Sequence, residues 1–444
     1  MSAPTEKTMA GGGSLRPDLQ TDREVLRDFR DRRFGIFVHW GPVTLTQKEI
    51  GWSRGRDTPI EEFDQLYLRF NPVNFNARDW IALVKASGAR YFVMVTKHHD
   101  GFSLWDTRQN DYNIMHSPFG RDVLRELADE CERQGVLFGT YYSVVDSLAF
   151  GWKRVPHPPE PEPNPPIQGG IEPYVEYLKA QCAELLERYQ SKILWFDMSS
   201  AIDAWTPQIG TDVYAYLHGK NPHVLMNSRL DNGNRGPARA HPRPLGERVG
   251  DFETREQEIG TYTETPWENC APITDNWEWR AADRAKDIKA SLSLLLQCIG
   301  GNGNFLYNLS PGPDGTIEPD QVRVMHEMGE WLGRYGESVY GTRGGPYMPA
   351  EGLVSTRRGH QVYVHLFKGQ STVQLPALPG VRLVGAKVLG GGSPSLQVSA
   401  SEYSLEVPPE AVSPLDTVIE LTFDGDVMAL PVQPAGRSGG AGVK

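Results

Sequence analysis

Six short apolar runs recur along the chain: FGIFVHW (34–40), RYFVMVT (90–96), VLFGTYYS (136–143), KILWFD (192–197), HVLMNSR (223–229) and NFLYNLS (304–310). Each is nearly continuous in apolar residues, the pattern of a strand covered on both faces. Between them stand amphipathic stretches of helical period, RDWIALVKASGA (78–89), GRDVLRELADECERQG (120–135) and PYVEYLKAQCAELLERYQ (173–190). Strand–helix repetition of this kind predicts an α/β fold, a (β/α)8-like barrel over residues 21–342. The stretch after HVLMNSR has no clear helical period, so the barrel is expected to be irregular there.

From residue 343 the texture changes. HQVYVHLF, STVQLPAL, VRLVGAKVLG, SLQVSASEYSLEV and TVIELTF are short alternating runs with turn residues between them, which predicts a β-sandwich over 343–430. Residues 1–20 read as a flexible N-terminus and 431–444, rich in Gly, as a disordered tail. VPHPPEPEPNPP (155–166) follows the third strand and reads as a stiff loop at the rim of the barrel's active face.

The 45 Lys and Arg against 56 Asp and Glu leave a formal charge of -11, which disfavours a nucleic-acid partner. Cys131, Cys182, Cys270 and Cys298 lie far apart without metal-finger spacing, so free buried thiols are expected. No apolar run approaches the ~18 residues of a membrane span. The first residues show no apolar leader, so the expected location is cytoplasmic, or secreted or periplasmic had a leader been removed. Oligomeric state is not legible.

In a parallel barrel, chemistry gathers at the C-terminal ends of the strands. There stand His39 and Trp40; His98, His99 and Asp100; Tyr141, Tyr142 and Ser143; Trp195, Phe196 and Asp197; Asn227 and Arg229; and, in GDFETREQE, Glu253, Glu256 and Glu258. Taken singly, each has a structural use: a strand-end Asp caps helices, and a strand-end His is commonly a satisfied core residue. Polar and aromatic groups on five consecutive strand ends point to a site. A metal centre would favour His-x-His, since alternate strand residues share a face. Adjacent His98 and His99 would diverge in a regular strand; His39, one of that pair and Asp197 are the set that could still hold a metal, while the expectation is no metal and no cofactor. A sugar needs directional hydrogen bonds and a few apolar faces, which His, Tyr, Arg and Trp supply together. Glycoside hydrolysis also needs two carboxyl groups flanking the scissile bond. Asp197 and a glutamate from a later segment meet that demand.

With these residues assembled, the chain resembles family 29 of the glycoside hydrolases, the α-L-fucosidases. The stretches that carry the resemblance are RFGIFVHWGP, FNARDWIALVKASGARYFVMVTKHHDGFSLWD, GRDV, ILWFD, NSR, DFETRE, PWENC and GNGNFLYNLSPGPDGTIEP. It implies a barrel followed by a β-sandwich, with Asp197 as nucleophile and Glu256 as general acid/base of a retaining hydrolysis. It also implies His39, Trp52, His98, His99, Tyr141, Trp195 and Arg229 as sugar-contacting residues, and Trp277 as an aromatic near the fucose methyl. Glu253, Glu258 and Glu268 stay open as rivals to Glu256. DYNIMHSPFGRDV, PWENCAPITDNWEWR and GRYGESVYGTRGGP resemble the branch that prefers α-1,3/1,4 linkages, which implies a fucosylated oligosaccharide or glycoconjugate of Lewis type as partner. A broad-specificity fucosidase and a silent fucose-binding paralogue are the alternatives. Two positions depart from the family pattern: Met198, where glycine is usual, and Arg255, where proline is usual.

Overall fold

All six apolar runs become strands of one parallel sheet in the computed structural model, which describes residues 23–155, 166–230, 249–259 and 261–439. These strands are β1 (Phe34–Val38), β2 (Tyr91–Lys97), β3 (Leu137–Ser143), β4 (Ile193–Asp197), β5 (Leu225–Met226) and β8 (Asn304–Leu309). Two further strands, β6 (Glu253–Glu256) and β7 (Trp267–Pro272), complete the sheet in the order β5-β4-β3-β2-β1-β8-β7-β6. ETRE and WENCAP have no apolar run, so periodicity alone does not mark them as strands. The seam between β5 and β6 is where the barrel is irregular. It is joined by a parallel bridge between Asn227 and Phe252 and by the Ser228 N–H donating to the Phe252 carbonyl at 2.9 Å.

The helices are α1 (Arg23–Arg32), a single turn α2 (Ile60–Phe63), α3 (Ala77–Ala86), α4 (Val123–Gln134), α5 (Ile171–Glu187), α6 (Pro207–Lys220), α7 (Ile288–Gly300) and α8 (Pro319–Tyr335). Four of them start where a side chain caps the first turn: Asn76, Asp122, Thr206 and Asp287 each accept from a backbone N–H three residues on. Between β5 and β6 the described residues hold only a 3-10 turn, Ser228–Leu230, and residues 231–248 lie outside the described residues.

Strand alternation fills the barrel interior. Phe37, Tyr91, Val93, Val95, Tyr141, Ile193, Trp195, Leu225, Cys270 and Leu306 point inward, and Leu26 and Phe29 of α1 join them. Gly35 gives the Tyr91 ring its room, since a Cβ there would lie 2.3 Å from it. The other faces of the strands pack under the helices in a larger apolar cluster.

The C-terminal region holds two antiparallel sheets. One contains β9 (Arg343–Gly344), β10 (Leu353–Arg358), β11 (Gln361–Phe367), β13 (Leu383–Val388) and β16 (Asp416–Phe423). The other contains β12 (Thr372–Pro376), β14 (Ser395–Val398), β15 (Glu402–Glu406) and β17 (Arg437–Gly439). Val362, Val364, Leu375, Leu405, Ile419 and Leu421 belong to their shared core. Strand β17 corrects the expectation of a disordered tail from 431: Gln374 to Thr372 of β12 pair with Arg437 to Gly439. The backbone donors and acceptors of that β12 edge take a partner strand although Arg437, Ser438 and Gly439 offer no apolar side chain. The expectations for residues 1–20 and for most of the proline-rich loop fall outside the described residues.

Between Val95 and Lys97 the register of β2 against β3 slips, and Lys97 leaves the inward row. Its ammonium lies 2.9 Å from Asp146, 2.9 Å from the Tyr142 hydroxyl and 3.4 Å from that of Tyr174 on α5. Both ions of this pair are buried. Removing one partner of a buried ion pair strands the other charge. Lys97→Met should therefore lower stability by about 3–5 kcal/mol in urea unfolding, and adding Asp146→Asn to it should recover part of that loss.

Candidate active site

The inward row of each strand continues past the last strand residue into the barrel mouth. Phe37 leads to His39, and Trp195 leads to Asp197. The side chains that arrive there enclose a cavity of about 250 Å³. Its lining includes the ten residues to which the resemblance gives a role: His39, Trp52, His98, His99, Tyr141, Trp195, Asp197, Arg229, Glu256 and Trp277.

Asp197 stands at the end of β4 with a full set of donors. The Arg229 Nη1 donates to its Oδ1 at 2.5 Å, the Met198 N–H to the same oxygen at 2.9 Å, and the Tyr141 hydroxyl to Oδ2 at 3.1 Å. Arg229 also donates from Nη2 to Glu256 Oε2 at 2.9 Å, so one guanidinium bridges the two carboxylates. Burial alone would weaken the charge on Arg229, but the two carboxylates outweigh it and hold the guanidinium firmly protonated. The guanidinium also lies 4.9 Å from the centre of the Trp195 ring.

The glutamates separate by strand parity. In β6, Thr254 and Glu256 share a face: Thr254 Oγ1 accepts from Asn227, and Glu256 meets Arg229. Glu253 and Arg255 share the other, where they pair at 3.6 Å and Arg255 lies 4.4 Å over Trp267. Glu258 follows the strand, beyond a left-handed Gln257 (φ 55°). Glu268 is buried below the cavity, accepting from the Tyr91 hydroxyl at 2.5 Å and from Trp195 Nε1 at 2.9 Å. Of the four, Glu256 is the one that lines the cavity.

The adjacent histidines do not diverge, because β2 ends at Lys97 and both lie in the turn beyond it. Their ring centroids are 3.9 Å apart, and His98 stacks on Tyr141. Gly51 (φ 71°) closes on them from the loop after β1; a Cβ there would fall 2.0 Å from His98 Nδ1. The next residue, Trp52, sets its ring edge-on to His99. Burial is the largest effect on His39 and brings it down to about 4, against the pull of Asn308, Asp197 and Glu256, so the ring is neutral at neutral pH. His98 is likewise held well below its ordinary value, by burial first and then by the other two histidines. Among the described residues, no three His, Cys, Asp or Glu side chains are arranged to hold a metal ion.

Several lining residues escaped the reading of strand ends: Glu49 and Ile50 in the loop before Trp52, and Cys270 on β7. Asn308, at the end of β8, escaped too, although the strand-end rule applies to it; it holds the main chain at both His39 and Trp277. Met198 explains the family's glycine. Its φ of 66° and ψ of 20° are left-handed, a conformation that costs a residue with a Cβ about 1–2 kcal/mol.

An eight-stranded parallel barrel carrying two bridged carboxylates in a pocket of histidines and aromatics has the equipment of a glycoside hydrolase. The family pattern described as Alpha-L-fucosidase matches residues 15–337. Over 422 residues the chain is 27% identical to human plasma alpha-L-fucosidase, covering 87% of this chain and 86% of that one. Among solved structures, alpha-L-fucosidase isoenzyme 1 from Paenibacillus thiaminolyticus aligns with a TM-score of 0.78 and 29% identity, over 90% of this chain and 99% of that one. A second, from Bacteroides thetaiotaomicron, shares the fold with a TM-score of 0.80 and 24% identity, over 91% of this chain and 96% of that one. The chain belongs to the α-L-fucosidase family, family 29 of the glycoside hydrolases.

Burial raises the Glu268 carboxyl from its ordinary 4.5 to about 7, against the two hydrogen bonds that favour its charge. A group whose folded pKa is raised contributes stability below its unfolded pKa and loses it as pH rises through the folded one. Glu268 should therefore cost the fold on the order of 3 kcal/mol as pH rises from about 4.5 to about 7. In Glu268→Gln the amide still accepts from Trp195 and never ionises, so that slope should vanish. Thermal melts of both proteins across this range check it.

Proposed function

We propose that the protein is a retaining α-L-fucosidase acting on terminal α-1,3/1,4-linked L-fucose of branched, Lewis-type glycans. One observation carries the catalytic half of this reading. A single cavity presents Asp197 and Glu256 on the two arms of one guanidinium, ringed by three histidines and three tryptophans. Two carboxylates reached by one side chain favour the close spacing of retention, ~5–5.5 Å, over the wider gap that leaves room for water in inversion.

In the proposed reaction, Asp197 Oδ attacks the anomeric carbon. Glu256 enters this step as the carboxylic acid and gives its proton to the glycosidic oxygen as that bond breaks, which frees the alcohol and leaves a fucosyl ester on Asp197. Glu256, now a carboxylate, takes a proton from water. That water attacks the anomeric carbon, and Asp197 departs as a carboxylate with net retention. Arg229 and Tyr141 hold Asp197 with two oxygens satisfied, which orients it for attack. His39, His98, His99 and Trp52 form the hydroxyl-binding wall, and Trp277, 5.0 Å from His39 between ring centroids, serves as the apolar face for the fucose methyl.

Asp197→Ala should lower fucose release by several orders of magnitude without loss of fold; near-native turnover would remove it as nucleophile. Glu256→Ala should slow natural glycans far more than aryl fucosides with good leaving groups, because the latter need no proton. The same signature in Glu253→Ala or Glu258→Ala would reassign the acid.

The linkage half rests on the likeness of residues 111–123 and 266–280 to the α-1,3/1,4 branch. Of these two segments, the second reaches the cavity, through Cys270 and Trp277. Binding energy from a branch sugar, remote from the bond being broken, would then raise the rate as well as the affinity. The expected order of kcat/KM is a Lewis-type trisaccharide above the same molecule without its branching galactose. Equal values on these two and on an aryl fucoside would place the enzyme among the broad-specificity fucosidases.

A further inference from the structure

We infer that Asn308 and Ser143 are positioning residues that set the tautomers of His39 and His99, so that each ring offers an Nε2 lone pair to a hydroxyl proton of the sugar. This deepens the fucosidase reading and rests on it for the identity of the sugar.

Asn308 is fully buried at the end of β8. Its Oδ1 lies 3.0 Å from the His39 backbone nitrogen and 2.7 Å from His39 Nδ1, and its Nδ2 lies 2.7 Å from the Trp277 carbonyl. A backbone N–H can only donate and a carbonyl can only accept, so the amide has one orientation, with oxygen toward His39. An oxygen at hydrogen-bond distance from Nδ1 requires the proton on Nδ1. The neutral ring then keeps its lone pair on Nε2. Asp197, Glu256, His98 and Tyr141 face this ring, and the Asn308 contact is what distinguishes its two nitrogens.

On His99 the proton is fixed on Nδ1 by a different device. Its Nδ1 lies 2.7 Å from Ser143 Oγ, and that oxygen lies 2.6 Å from the Val145 carbonyl. A serine has one hydroxyl proton. The carbonyl can only accept it, so the hydroxyl oxygen must accept from Nδ1–H. The two rings, from different strands, thus present the same polarity to one cavity, while His98 Nδ1 has no hydrogen-bond partner among the described residues. A ligand meeting His39 and His99 must bring hydroxyls that donate. An ether oxygen at either place leaves two lone pairs opposed, which is how a site built for hydroxyls rejects analogues lacking them.

Long-range nitrogen–proton NMR on the full chain with 15N-labelled histidine reads the tautomer directly at pH 7, with His39→Gln and His99→Gln as assignment variants. The expected result is Nδ1–H with a bare Nε2 on both rings. Ser143→Ala should move His99 toward Nε2–H, leave His39 unchanged and raise KM for an aryl fucoside about tenfold with a smaller change in kcat. Ser143→Thr, which keeps the hydroxyl, should restore both. An Nε2–H on either ring of the native protein overturns the inference, and that spectrum does not depend on the Ser143→Ala variant folding. So does a Ser143→Ala protein whose His99 tautomer and KM are native. Absence of fucose release by the native protein would defeat the fucosidase reading instead, and the tautomers would still be read.

Discussion

Every second residue of a barrel strand points inward, and this parity is the constraint on which the site depends. It packs Tyr91, Ile193, Trp195 and Leu306 into the interior. It also delivers His39 and Asp197 one step above that floor. The floor and the site are continuous: Trp195 fills the barrel, lines the cavity and lies under the Arg229 guanidinium. A change in the barrel's interior therefore moves the groups that would meet a sugar. Glu268, holding Trp195 from below, is the clearest instance.

Above that floor the pocket is tied together by charge. Arg229 comes from the segment after β5, Asp197 from β4 and Glu256 from β6. The guanidinium thus spans the irregular seam of the barrel, where regular strand pairing gives way to a single bridge and a few hydrogen bonds. Asn227 reinforces the same seam by bonding the main chain of Phe196 in both directions and the Thr254 hydroxyl. The weakest part of the barrel is where both carboxylates stand, and polar side chains replace the strand ladder there.

The histidines of the pocket are fixed by their neighbours. Burial holds His39 and His98 uncharged, while Asn308 and Ser143 occupy the Nδ1 atoms of His39 and His99. In the proposed reaction Asp197, Arg229 and Glu256 bring charge to the reacting bond, and the histidines bring hydrogen-bond polarity around it. That division suits a small, uncharged, hydroxyl-rich ring: ions act where charge develops in the transition state, and neutral imidazoles read hydroxyls without the cost of desolvating further ions.

The chain's own order of residues determined a great deal. Six continuous apolar runs can be buried only by a sheet covered on both faces, so the barrel was legible from them, and so were the strand ends that carry His39, His98, Tyr141, Asp197 and Arg229. Strands β6 and β7 were not legible, because the inward positions of ETRE and WENCAP include the polar Thr254, Glu256 and Glu268, which break any apolar run. The tail strand β17 was hidden for a related reason: its pairing is made by backbone groups, and RSG announces nothing in its side chains. Tertiary structure alone decided which glutamate faces Asp197. Five glutamates lie within residues 253–268, and the placing of β6 beside β7 and the seam turns Glu256 toward Arg229. It also decided that His98 and His99 line one cavity, since a strand that stops at Lys97 frees the next two residues from alternation. Parity is local and can be read from a sequence once a strand is known. Where a strand ends, and which strands lie beside it, is settled by contacts between residues far apart in the chain.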